Sequence, residues 1–193
     1  MKILGIDTSG YANAVGVVSD SQTLADFVFE ARNDSLEKIV ANIDFTLKEA
    51  GLTLDDVDGF GVGLGPGSWT GIRVGVTVGK ILAFSTSKPV AGVSTLEALA
   101  YAAGNISATV CSIIDAGTKN TIYAALYRVK DGAVHRVSEY YIGDVPGLAE
   151  MVKAPVVFVG SGANSHRQLI GQIFYASSSN GRIIEGAPKG STV

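Results

Sequence analysis

One pattern, a strand ending in aspartate followed by a turn and a second strand, occurs twice in the sequence and constrains its fold most. Asp7 ends an apolar run and precedes a small-residue turn, and Asp115 does the same in the second half. The centres of the strands that follow, Val15 and Tyr123, stand at the same distance from their aspartates. Repetition of a supersecondary unit predicts a duplicated architecture, with a seam near Gly104.

Each half continues with strands, a helix and a strand that ends in glycine. In the second half, a hairpin turn at 130–132 leads into one predicted strand from Val134 to Tyr141. Alternating strands and helices predict an α/β fold with mixed sheets flanked by helices. The predicted units are an N-terminal lobe over 1–104 and a shortened C-terminal lobe over 105–193.

The stretch from Gly65 to Lys80 predicts a glycine loop that opens a helix, with Ser68 as its N-cap. Glycines then recur every four residues and share one helical face with two valines. A helical glycine costs about 0.8–1.0 kcal/mol relative to alanine, so a close backbone approach is expected in return. This glycine face consists of Gly71, Val74, Gly75, Val78 and Gly79.

The glycine face could pack against either of two elements. One is a neighbouring element of the same chain, and the other is a helix of a second protein. The apolar arc of this helix is wider than the roughly 100° of an ordinary surface helix. The sequence therefore predicts that the helix is covered on two sides.

The first strand-end turn and the glycine loop together form a candidate nucleotide or phosphate site, because strand ends and helix N-termini bind anions. The alternative is that the turn merely closes a hairpin. The loop lacks the Gly-Lys-Ser/Thr ending of a P-loop, so a phosphate clamp of that type is not implied. The candidate residues are Asp7, Thr8, Ser9, Gly65, Gly67 and Ser68.

Composition and spacing disfavour several other classes. His135 and His166 form no metal-binding pair at helical spacing, and Ser68 has no evident histidine base. The single cysteine, Cys111, excludes a disulfide framework. A net charge of −3 without a basic run disfavours direct nucleic-acid binding. No apolar run reaches the roughly 20 residues of a membrane span, and we expect a cytoplasmic protein.

Four segments, at 3–9, 65–75, 92–96 and 114–116, together resemble the TsaB (YeaZ) family of bacterial tRNA threonylcarbamoyladenosine biosynthesis proteins. The resemblance extends from Met1 to about Tyr127. It implies an actin-like, Hsp70-like two-lobed fold. It also implies a non-catalytic scaffold or activator that binds a TsaD-type paralogue, which itself holds a metal through a histidine pair that this chain lacks.

The resemblance further implies a complex that includes a TsaE-type ATPase and contacts tRNA only indirectly. No intrinsic cofactor is expected, with ATP or ADP at a subunit junction as a candidate. The family's dimer face maps to the helices at 35–50 and 70–84, through which the free protein could also self-pair. The expected interface residues are Leu36, Ile39, Val40, Ile43, Gly71, Val74, Gly75, Val78 and Gly79.

A second function is compatible with the same residues. Asp7, Asp115 and the glycine loop also suit a small ATPase or phosphotransferase of this fold. Nucleotide binding by the isolated chain separates the two hypotheses.

Overall fold

The computed structural model describes residues 1–20, 22–30, 35–104, 106–118, 120–152, 155–174, 182–184 and 190–192. The chain divides into two compact units, Met1–Ala98 with Pro188–Val193, and Leu99–Ala187. The boundary thus precedes the predicted seam at Gly104. The 3-10 turn at Gly190–Thr192 packs on the first sheet, so the last residues belong to unit 1 instead of the C-terminal lobe.

Unit 1 is built on a five-stranded sheet. Its first strand is central because it pairs antiparallel with the second strand and parallel with the fourth. The strands lie in the order β3-β2-β1-β4-β5. Their bounds are β1 Lys2–Asp7, β2 Ala12–Ser19, β3 Gln22–Glu30, β4 Gly59–Gly63 and β5 Val90–Val93.

Two helices of unit 1, α1 (Ser35–Glu49) and α2 (Trp69–Thr86), share one hydrophobic core with one face of this sheet. Alternate residues of β1 and β2 point into that core, as expected for strands with one face toward the helices. A 3-10 turn, Leu54–Asp56, follows α1, and α3, Thr95–Ala102, spans the boundary between the units.

Unit 2 repeats the plan of unit 1. Its strand order is β11-β10-β6-β7-β8, and β9 also pairs with β7. The bounds are β6 Ala108–Asp115, β7 Ile122–Lys130, β8 Ala133–Arg136, β9 Tyr141–Gly143, α4 Val145–Met151, β10 Val156–Val159, α5 Ser161–Ser165, α6 Arg167–Phe174 and β11 Arg182–Ile184.

The duplication predicted from the sequence is confirmed down to the register. Ile6 pairs with Val15 in unit 1, and Ile114 pairs with Tyr123 in unit 2. Each aspartate therefore ends the central strand of its sheet. The first strand pair of each unit was therefore predicted correctly.

Two predictions for unit 2 were wrong or incomplete. The expected single strand over 134–141 is two strands, β8 and β9, because the chain leaves the ladder after Arg136 and rejoins β7 at Tyr141. The helices α5 and α6 were not predicted. Among the helices that the described residues form, none is long and apolar enough to cross a bilayer.

Candidate functional site

The strand-end turn of unit 1 is closed by its own hydrogen bonds. The Asp7 side chain is completely buried. Its Oδ1 accepts hydrogen bonds from the backbone N–H and the hydroxyl of Ser9, at 2.8 and 2.6 Å. Its Oδ2 accepts one from the Thr95 hydroxyl at 2.7 Å. Both carboxylate oxygens are therefore occupied by donors of the same chain.

The glycine loop completes this closed turn. The backbone N–H of Ser68 donates to the Ser9 carbonyl at 2.6 Å, and the Thr95 N–H donates to the Gly65 carbonyl at 2.9 Å. A Cβ on Gly67 would collide with the Ser9 carbonyl. The loop therefore approaches the turn backbone to backbone, which only glycine permits here.

The start of α2 follows the sequence prediction. Ser68 is the N-cap, and its hydroxyl oxygen accepts a hydrogen bond from the Gly71 N–H at 3.2 Å. The Thr8 hydroxyl donates to the Gly71 carbonyl at 2.7 Å. Asp7, Thr8 and Ser9 are all buried. Their contacts favour the hairpin-closing alternative over a phosphate site in this conformation.

The glycine face of α2 packs against the sheet of its own unit, which corrects the predicted interface. A Cβ on Gly71 would collide with the Thr8 carbonyl, and one on Gly75 would lie 2.5 Å from the Thr8 Oγ1. A Cβ on Gly79 would collide with Val62. Two further predicted interface residues on this helix, Val74 and Val78, pack against the core of unit 1.

The predicted interface on α1 divides in a similar way. Ile39 and Ile43 are buried in the core of unit 1, so they do not face a partner. Val40, in contrast, is 62% exposed. The Leu36 side chain lies outside the described residues. Of the predicted side chains described on α1 and α2, Val40 is the large hydrophobic that points outward.

The opposite side of α2 carries a stripe that the sequence reasoning missed, here called the outer face of α2. Trp69 and Phe84 are 71% and 88% exposed, and Ile81 also points outward. The Arg73 guanidinium lies 5.5 Å from the Trp69 ring centroid. The sequence could have indicated this face, because on a helical wheel at about 100° per residue these positions lie opposite the glycines. The outer face consists of Trp69, Arg73, Lys80, Ile81 and Phe84.

The strand-end turn of unit 2 is more open. Asp115 is about one-third exposed, and its Oδ2 lies 4.0 Å from the His166 Nε2. Its Oδ1 accepts a hydrogen bond from the Gly117 N–H at 2.8 Å, while the Asp115 N–H donates to the Ser161 hydroxyl at 3.2 Å. The position of Asp115 at the end of a strand was predicted from the sequence, whereas its proximity to the His166 side chain was not.

Two further side-chain properties of the described chain bear on chemistry. Complete burial raises the pKa of the Cys111 thiol well above its usual range, so this cysteine is a packing residue. Across the part of the chain that the structure describes, no group of three His, Cys, Asp or Glu side chains is placed to hold a metal ion.

Comparison with known proteins assigns the chain to a family. The model of the family TsaD, tRNA N6-adenosine threonylcarbamoyltransferase, matches residues 29–177. The TsaB protein of Bacillus subtilis, named for tRNA threonylcarbamoyladenosine biosynthesis, is 30% identical over 173 residues, which are 88% of this chain and 75% of that protein. The chain belongs to the TsaB family. It also belongs to the wider TsaD family, since that model covers more than half of it.

The TsaB protein of Escherichia coli is 33% identical over 137 residues, 70% of this chain and 59% of that protein. The chain thus spans less of this second TsaB relative than of the Bacillus protein. Among solved structures, YeaZ from Pseudomonas aeruginosa matches with a TM-score of 0.72 and 25% identity over 86% of this chain and 79% of that one. This structural similarity to YeaZ agrees with the assignment of the chain to the TsaB family.

A more distant structure extends the fold comparison. The activator of 2-hydroxyisocaproyl-CoA dehydratase from Clostridium difficile matches with a TM-score of 0.56 over 100% of this chain and 91% of that one. At 11% identity this likeness concerns the fold alone. Together with the duplicated sheets, it confirms the predicted actin-like α/β class.

Proposed function

We propose that this TsaB-family chain is a non-catalytic subunit of the tRNA threonylcarbamoyladenosine-modifying complex and binds a TsaD-type paralogue through the outer face of α2. The carrying observation is that the large apolar side chains of Trp69, Ile81 and Phe84 are exposed on the side of α2 opposite the glycines that pack on unit 1. Large exposed apolar side chains that are bordered by polar residues mark interaction surfaces.

The chemistry of the outer face supports this role. Tryptophan and arginine are enriched among residues that dominate binding energy, and here Arg73 stacks on Trp69. Val40 of α1, a helix of the same unit, is also an exposed large hydrophobic. The proposal therefore keeps α1 and α2 as the docking helices but moves the contact to the side opposite the glycines.

The non-catalytic part of the proposal is supported by the turn of unit 1. The Asp7 carboxylate, which could otherwise bind a metal ion, uses both oxygens to accept hydrogen bonds from Ser9 and Thr95. The proposed complex includes a TsaE-type ATPase and contacts tRNA only indirectly, and the free chain could self-pair through the same face. ATP or ADP at a subunit junction stays a prediction.

The test is calorimetric titration of the full chain with the TsaD-type protein of the same organism. Trp69→Ala and Phe84→Ser should each weaken binding at least about thirtyfold, since central interface anchors contribute about 2 kcal/mol or more. Ile142→Ser, which changes an exposed side chain of unit 2, is the control. Unchanged affinity in both outer-face variants would refute the proposed docking surface.

One observation favours the ATPase or phosphotransferase alternative. Asp115 is partly exposed and faces His166, so its carboxylate is more accessible than that of Asp7. Calorimetry with ATP and Mg²⁺ on the isolated chain tests this. Binding that Asp115→Asn abolishes would support the alternative, and absence of binding and turnover would remove it.

A further inference from the structure

The outer face of α2 carries two cations that no carboxylate of the described chain balances. Arg73 and Lys80 are both exposed. Neither forms an ion pair with a described residue, and the contact of Arg73 with the Trp69 ring leaves the guanidinium charged. The helix itself contains no aspartate or glutamate. A protein that covers this face therefore meets two uncompensated positive charges.

The exposed aromatic and cationic side chains of α2 follow a symmetric order. In chain order they are Trp69, Arg73, Lys80 and Phe84. Each aromatic thus stands one helical turn from a cation, and the two cations stand two turns apart, about 10 Å at 1.5 Å per residue. At about 100° per residue, both cations fall within an arc of roughly 60° that ends at Trp69 and Phe84. The charges therefore lie between the exposed aromatic rings, where a docked protein would cover them.

The position of these charges constrains the chemistry of the surface that covers them. A cation that loses its water on docking is costly unless the opposite surface supplies a counterion. Carboxylates supply it, and a guanidinium such as that of Arg73 pairs with a carboxylate through two parallel hydrogen bonds. In helix pairs, charges beside an apolar seam set the choice of partner. The face therefore fits a surface with two carboxylates about 10 Å apart, between apolar sites for the two aromatic rings.

A second copy of α2 does not supply these carboxylates. In a symmetric antiparallel pair, Arg73 would face Lys80 of the second copy. In a parallel pair in register, each cation would face its own counterpart. Like charges that face each other across an interface are destabilising. The symmetric order of the cations therefore opposes pairing of this face with itself and favours a different protein.

We propose that the protein that docks on the outer face of α2 presents two carboxylates, about 10 Å apart, which pair with Arg73 and Lys80. This proposal rests on the proposed function, because it specifies the chemistry of the TsaD-type contact. The aromatic rings anchor the partner, and the carboxylates select it. Specificity of this kind needs an unfavourable alternative, and the opposed cations of a second copy provide it.

The first test is calorimetric titration of the full chain with the TsaD-type protein at about 0.1 M and about 1 M sodium chloride. The affinity should fall at the higher concentration, because the Debye length shortens from about 10 to about 3 Å. Lys80→Gln should weaken binding at least about fivefold, the upper limit for an exposed ion pair, and Lys80→Glu should weaken it further through repulsion. Lys130→Glu, the same change at an exposed lysine of unit 2, should leave affinity unchanged.

The same titrations separate the carboxylates from the docking surface. If Trp69→Ala weakens binding while salt and both Lys80 variants leave it unchanged, the docking surface stands and the paired carboxylates are wrong. If Trp69→Ala is also without effect, both are wrong. Equal weakening by Lys80→Gln and Lys80→Glu would overturn the pairing, since packing of the aliphatic stem would explain it. Equal weakening by Lys130→Glu and Lys80→Glu would overturn it as well, since net charge alone would explain it.

Self-association of the free chain gives an independent measurement. Sedimentation equilibrium of Lys80→Glu should show tighter self-association than the natural chain, because antiparallel pairing then sets a carboxylate against Arg73 of the second copy. The same variant should bind the TsaD-type protein more weakly, and a folding defect would not change the two affinities in opposite directions. Unchanged or weaker self-association would overturn the selection against a second copy.

Discussion

The two strand-end turns of this chain begin from the same sequence pattern and reach different states. In unit 1, the Asp7 carboxylate is buried and accepts hydrogen bonds from Ser9 and Thr95. In unit 2, Asp115 stays partly exposed and faces His166 without a hydrogen bond to it at 4.0 Å. The duplicated motif therefore keeps the same strand register in both units. Whether its aspartate is buried and hydrogen-bonded or exposed depends on the residues packed around the turn.

The two turns differ in the length of the helix that follows the nearby glycines and in the donors around the carboxylate. In unit 1, Gly67 and Gly71 let the loop and α2 approach the backbone of residues 8 and 9. In unit 2, the corresponding helix α5 is only five residues long. Close backbone approach is common to both units, because a Cβ on Gly160 would collide with the Ile113 carbonyl in unit 2. The closed turn is therefore distinguished by its longer helix and by the Thr95 hydroxyl that bonds the carboxylate.

The largest expected effect is from filling the glycine contact in unit 1. Gly71→Val places a side chain against the Thr8 carbonyl, which cannot move without disrupting β1. We expect a loss of about 3 kcal/mol or more in the free energy of unfolding, as for severe overpacking. Urea denaturation followed by circular dichroism measures it.

The control for this variant is Gly171→Ala in the helix α6 of unit 2. A Cβ there meets nothing within 4 Å, so we expect a gain of up to about 1 kcal/mol from helix propensity. If Gly71→Val were as stable as the natural chain, the close packing of α2 on the first turn would be wrong.

The second effect compares the two aspartates directly. Asp7→Ala leaves three buried donors on Ser9 and Thr95 without their acceptor, and we expect a loss of about 2–3 kcal/mol. Asp115→Ala removes one partly exposed bond from the Gly117 N–H, and we expect about 1 kcal/mol or less. Thermal melts of both variants measure the difference, and equal losses would contradict the contrast between closed and open turns.

A smaller effect is expected at the helix caps, where the two units are alike. Ser68 caps α2 through the Gly71 N–H at 3.2 Å, and Asp144 caps α4 through the Gly147 N–H at 2.9 Å. Alanine at either position should cost about 1 kcal/mol. A much larger cost for Ser68→Ala, measured in the same urea series, would indicate that the hydroxyl supports more than the cap.

The smallest effect concerns an exposed carboxylate of unit 1. Hydrogen bonds from the Thr53 backbone N–H and then its hydroxyl lower the pKa of Asp56. Because the folded pKa lies below the unfolded one, this stabilisation is present above the unfolded pKa and is lost as pH falls through the folded pKa. Thr53→Ala should raise the pKa of Asp56 partway, since the backbone bond persists. An NMR titration that finds no rise would show that the hydroxyl contributes nothing.

Much of the fold was predictable from the sequence because it depends on local signals. Apolar runs that end at Asp7 and Asp115 predicted the central strands, and the register confirmed them. Ser68 was predicted as a cap from its position between a glycine loop and a helix. The break between β8 and β9 was missed because no residue over 137–140 is a strong strand breaker.

The sequence by itself determined that α2 must have one face for close approach, because three glycines at four-residue spacing allow it. Only the tertiary structure decided what approaches. Thr8 and Val62 of the same unit occupy that face, which leaves Trp69 and Phe84 outward. The physical reason is that spacing fixes which residues share a face, whereas the direction of a face depends on the nonlocal packing of helix on sheet.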